Sequence, residues 1–70
     1  MKDLNNFWYV SFEESGISVD TPAGTLRAAV DLAREIVTRD PLAAVSVCND
    51  VLSKYFDVKF NGKRIVLEEV

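Results

Sequence analysis

The chain has 70 residues, 49% of them apolar, and carries a formal net charge of −3 with no histidine and one cysteine. That length bounds it to one domain, expected over 1–70 with residues 1–6 a loose N-terminal segment. With Cys48 alone there is no internal disulfide or cysteine cluster for zinc, so the fold must rest on apolar burial and no cofactor or metal is expected.

Mild acidity argues against indiscriminate phosphate binding. No stretch approaches the roughly 18 apolar residues of a membrane span, and the first residues lack the pattern of a signal peptide. A lone thiol suits a reducing compartment, so a cytoplasmic location is expected.

Phe7 to Glu13 is aromatic and β-branched, which favours a strand. Ser15-Gly16 supplies a tight turn, and Ile17 to Asp20 alternates as the returning strand. A two-residue turn sets Phe12 opposite Val19 and Glu14 opposite Ile17. Trp8, Val10, Phe12, Ile17 and Val19 then share one face.

Thr21-Pro22 offers a helix start, with Thr25 as the alternative cap because Gly24 intervenes. Leu26, Ala29, Val30, Ala33, Ile36 and Val37 recur at helical spacing, with Arg27, Asp31, Arg34, Glu35 and Thr38 largely opposite. Asp40-Pro41 ends this helix. It also reads as the cap and first position of another, with Leu42, Val45, Cys48, Leu52 and Tyr55 as an apolar stripe. Ser46, Asn49, Asp50, Ser53 and Lys54 form the matching polar stripe. The alternative for this segment is a strand through Val45-Ser46-Val47-Cys48.

Phe56 to Phe60, Asn61-Gly62, and Lys63 to Val70 read as a final hairpin. Asn-Gly is the preferred pair for a two-residue type I′ turn. That turn sets Val58 opposite Ile65, Phe56 opposite Leu67 and Lys59 opposite Arg64. The expected fold is α+β in the order ββααββ, alternatively ββαβββ, with helices packed on one face of an antiparallel sheet.

No catalytic set emerges. Without histidine the commonest general base is missing, and Cys48 lies on an apolar stripe, where thiols are inert. The scattered glycines make no phosphate loop. Glu13-Glu14 and Glu68-Glu69 are adjacent along strands, so each pair points to opposite faces. The Trp-bearing hairpin followed by an Ala-rich helix is a pattern common in small bacterial and phage proteins, too generic to carry a function.

Two surfaces invite partners. Phe7 and Tyr9 make the first strand aromatic on the side away from Trp8 and Val10, and rigid aromatics are frequent interface anchors. Lys59, Lys63 and Arg64 gather near Phe60 at the last hairpin, a combination suited to nucleic acid. The first reading is a non-catalytic protein-interaction module of the adaptor, inhibitor or mobile-element accessory type, self-associating as a homodimer through Phe7 and Tyr9. The second is a nucleic-acid-binding domain.

Overall fold

The computed structural model describes residues 6–70. The loose segment expected over 1–6 lies outside the described residues except for Asn6. Strand β1 (Trp8–Glu14) turns at Ser15-Gly16 into β2 (Ile17–Gly24), with Phe12 opposite Val19 and Glu14 opposite Ile17 as the tight turn requires. Ser15 and Gly16 both take positive φ (54° and 79°), the conformation of a primed hairpin turn. Trp8, Val10 and Phe12 face the core, whereas Ile17 sits at the far end of the same face and is 66% exposed.

Thr21-Pro22 does not start the helix. It extends β2, and β2 is an edge strand, where proline's missing N–H costs no ladder bond. The cap is Thr25, whose Oγ1 accepts from the Ala28 N–H at 3.1 Å. Helix α1 (Leu26–Arg39) follows and buries Ala29, Ala33, Ile36 and Val37 against the sheet. It stops at Asp40, whose N–H reaches the Ile36 carbonyl at 2.9 Å and whose carboxylate accepts from the Leu42 N–H.

The second helix expected from 42 onward does not form. Val45–Asn49 is β3, followed by β4 (Lys54–Phe60) and β5 (Ile65–Glu69), so the element order is ββαβββ. The five strands line up β2-β1-β3-β4-β5, with every neighbouring pair antiparallel. β3 is the central strand. Val45 and Val47 bury against α1's side of the sheet and Cys48 buries on the other. A central strand paired on both edges suits these β-branched residues, and their packing under α1 overrides the helical spacing of the polar ones. Of those polar residues, Asn49, Asp50 and Ser53 build the β3–β4 turn, while Ser46 lies within β3 and Lys54 begins β4. The fully buried Asn49 accepts the Leu52 N–H at 3.0 Å, and Ser53 takes a positive φ of 54°.

The last hairpin also departs from the two-residue turn. Phe60 pairs with Ile65, Val58 with Leu67 and Phe56 with Glu69, leaving Asn61 to Arg64 as a four-residue loop. Within it the Asn61 side-chain oxygen accepts the N–H groups of Lys63 and Arg64, both at 3.0 Å. This register gives Phe60 an apolar partner and separates Lys59 from Arg64, whose facing positions would repel. Lys59 lies opposite Val66 and its Nζ is 3.6 Å from a Glu68 carboxylate oxygen.

The core is the layer between α1 and the sheet: Trp8, Val10, Val45, Val47 and Val58 beneath Ala29, Ala33, Ile36 and Val37. Trp8 and Phe56 stack at 6.2 Å across it. No described helix is long and apolar enough to cross a membrane.

Candidate docking face

With α1 on one side, the other side of the sheet carries no element among the described residues. Its residues follow from strand parity and register. One cross-strand row runs Pro22, Tyr9, Cys48 and Tyr55, and the next runs Asp20, Ser11, Ser46, Asp57 and Glu68. Glu13 and Ser18 pair at one edge, and Lys59 stands beside Asp57 on β4.

The row through Cys48 is tied together at one end. Tyr9 and Tyr55 flank Cys48 on the strands either side of it. Both hydroxyls donate to Oδ1 of Asp50, at 3.0 and 2.9 Å. Asp50 opens the β3–β4 turn, so the carboxylate that joins the two phenols also anchors that turn. The phenol of Tyr9 is pushed above its ordinary value, first by desolvation and then by its bond to Asp50, which a phenolate could not donate. For Tyr55 the bond to Asp50 is the leading cause of the same upward shift.

Cys48 is 6% exposed beneath these rings. Burial pushes its thiol up, and the charges of Asp50, Asp20 and Asp57 push it further. A hydrogen bond with Tyr9 acts in the opposite direction and is outweighed by burial. The thiol therefore lacks both the exposure and the positive surroundings of a reactive cysteine. The same three carboxylates mark this face as electronegative. In the adjoining row, Ser46 Oγ donates to Asp57 Oδ1 at 3.3 Å.

Among the described residues, Glu13, Asp20, Asp50, Asp57 and Glu68 are thus set against Lys59, which already lies beside Glu68. Such a face favours cationic partners and repels polyanions. Among the described residues no group of three or more histidine, cysteine or acidic side chains is placed to hold a metal ion.

Phe7 and Tyr9 come together at the edge of this face. Both line a depression of about 430 Å³ with Asn6, Trp8, Asp20, Pro22, Gly24 and Asp50. Phe7 is 40% exposed and precedes β1. Trp8 belongs to the core side, and its indole N–H is buried without a hydrogen-bond partner among the described residues.

The basic residues divide. Lys59 is on the uncovered face, while Lys63 and Arg64 lie in the final loop and line a separate depression of about 610 Å³ with Arg34, Thr38, Phe60 and Ile65. Arg34, which comes from α1, is the addition the sequence did not suggest. It sits 3.5 Å from Asp31.

The residues missed on the candidate face are Asp20, Asp50 and Tyr55. Alternation within β2 would have placed Asp20 opposite the core. Asp50 and Tyr55 were hidden by the helical reading of their segment.

The chain matches no protein-family model, and neither the curated proteins nor the solved structures give a significant match.

Proposed function

We propose that this chain is a non-catalytic protein-interaction module whose uncovered sheet face docks a basic surface of a partner protein. The observation that supports this reading is the charge pattern of that face among the described residues: five carboxylates from four strands and a turn, with Lys59 as their cation, around a central pair of tyrosines. Electrostatic complementarity of this kind speeds encounter and selects partners. Tyrosines held by a shared carboxylate supply rigid contact area at small entropic cost.

Self-association through Phe7 and Tyr9 is a variant of the same reading with a different salt signature. A face-to-face homodimer brings Asp20 and Asp50 towards their copies, so added salt strengthens it. Salt weakens a contact with a basic partner. Fluorescence anisotropy of a labelled octalysine peptide, titrated with the protein over a salt series, tests the docking reading. Binding that weakens with salt and is lost in Asp57→Lys/Glu68→Lys supports it. No binding at low salt, or binding indifferent to that charge reversal, rejects it.

The grouping of Arg34 with Lys63 and Arg64 beside Phe60 favours a second reading, a nucleic-acid contact on the helix side. Lys59 takes no part in it. Binding of a single-stranded oligonucleotide that falls with salt and is lost in Arg34→Ala/Arg64→Ala would support this reading.

A further inference from the structure

We infer that the depression between Phe7 and Asp50 is a receptor for one lysine or arginine side chain of the partner protein. The inference rests on the docking reading above and names the chemistry that one part of the face selects.

The walls decide the ligand class. Phe7, Tyr9 and Pro22 contribute apolar and aromatic surface, and Asp20 and Asp50 contribute two carboxylates from different elements. An anion entering here meets two like charges. A neutral apolar group strips water from both carboxylates and returns nothing to them. A metal ion finds only two acidic ligands. A cationic side chain suits the aromatic and acidic walls together, because its stem packs on the rings while its head meets the carboxylates, with Asn6, Trp8 and Gly24 completing the lining.

The geometry is also fixed in advance. Tyr9 and Tyr55 both donate to Oδ1 of Asp50, which orients the carboxylate at the wall of the depression. Asp20 stands on β2, held by pairing with Ser11 of β1. The volume, about 430 Å³, lies within the ordinary range of small-ligand sites and exceeds what one lysine or arginine head needs. A groove that binds only diffuse positive charge requires none of this. The site would read the end group of one residue, while the row through Asp57 and Glu68 attracts the rest of the basic surface.

The test separates the receptor from the face. N-acetyl-Gly-Lys-Gly amide and its glutamine counterpart are titrated into the isotope-labelled protein, and NMR shifts are followed alongside octalysine binding. The lysine tripeptide is expected to shift signals of Phe7, Tyr9, Asp20 and Asp50, and the glutamine tripeptide to leave them unmoved. Phe7→Ala and Asp20→Asn should each weaken the lysine tripeptide about threefold or more, the scale of one exposed cation–aromatic or ionic contact. Asp57→Asn/Glu68→Gln should weaken octalysine and leave the tripeptide unchanged. If octalysine binds but the tripeptide moves nothing at the depression, or Asp20→Asn leaves its affinity intact, the receptor is overturned and the docking face stands. If neither peptide binds, both readings fall.

Discussion

Tyr9 and Tyr55 stand on strands separated by β3, yet their hydroxyls meet at a single carboxylate oxygen of Asp50, 3.0 and 2.9 Å away. The arrangement roofs Cys48 and fixes the β3–β4 turn to the sheet. Tyr9→Phe and Asp50→Asn should therefore be less than additive, with a coupling of about 0.5–1.5 kcal/mol, the net worth of one hydrogen bond. Chemical denaturation of the two single variants and the double variant measures it. The same roof shields the thiol. Native Cys48 should label slowly with a thiol reagent, and faster in Asp50→Asn. Additive stabilities together with unchanged labelling would show that the three groups act independently.

The raised phenols and thiol make stability pH-dependent on the alkaline side. Each group is neutral when protonated, and its folded-state value lies above the ordinary one, 9.0 for the thiol and 10.0 for the phenols. Below those ordinary values both folded and unfolded chains hold the protons, and these groups leave stability flat. Above them the unfolded chain releases protons that the folded chain retains, so stability falls with rising pH until the folded values are passed. The melting temperature should begin to drop near pH 9.0 and steepen above 10.0. Cys48→Ala should delay the onset, and Tyr9→Phe should flatten the steeper part. A melting temperature that holds level through this range in the wild-type chain contradicts the assignment.

Legibility in the sequence followed the range of the interactions involved. The first hairpin was readable because Ser15-Gly16 and the alternation on each side give the same register. The apolar spacing of Ala29, Ala33, Ile36 and Val37 marked the buried face of α1 for a similar reason: one periodicity, locally consistent. The segment after Asp40 failed because the β3–β4 turn places Asn49, Asp50 and Ser53 at intervals that mimic a helical stripe. Only the flanking strands β1 and β4 decide the matter. The final hairpin failed more quietly. A shift of two residues keeps every side chain on its face, so alternation cannot tell Val58–Ile65 from Val58–Leu67. The charge of the candidate face was legible only in part: parity places Asp57 and Glu68 on it in either register, whereas Asp50 and Tyr55 join it only through the turn after β3.

The four-residue loop at Asn61 to Arg64 makes a distinct demand on Gly62. Its φ is +95°, and a Cβ placed there meets nothing within 4 Å. Substitution thus costs backbone strain without a clash. Gly62→Val should destabilise by about 1–2 kcal/mol, more than Gly62→Ala, because a β-branched residue resists positive φ most. For a domain of this size each kcal/mol lowers the melting temperature by about 4–8 °C. Asn61→Ala should add its own loss by freeing the N–H groups of Lys63 and Arg64, though both are exposed to water. Equal melting temperatures for Gly62→Val and the wild type would exclude this loop.

Self-association through the uncovered face meets an electrostatic obstacle that apolar composition does not reveal. A two-fold contact is the commonest way for a small chain to cover an aromatic patch. Around Phe7 and Tyr9, however, such a contact sets Asp20 and Asp50 against their own copies. Two like charges at 4 Å cost about 1 kcal/mol in bulk water and about 4 kcal/mol near a protein surface. Ions screen them over about 10 Å at 0.1 M salt. Light scattering at micromolar concentration should therefore find a monomer at low ionic strength, with any dimer growing as salt is added. Asp20→Asn should promote that dimer, and Tyr9→Lys should abolish it. Adding octalysine at low salt should titrate the face without producing a dimer. A dimer already complete at low salt and unmoved by Asp20→Asn would place the contact elsewhere. The edge of β5, where Val66 and Leu67 are partly exposed, would then be the next surface to alter.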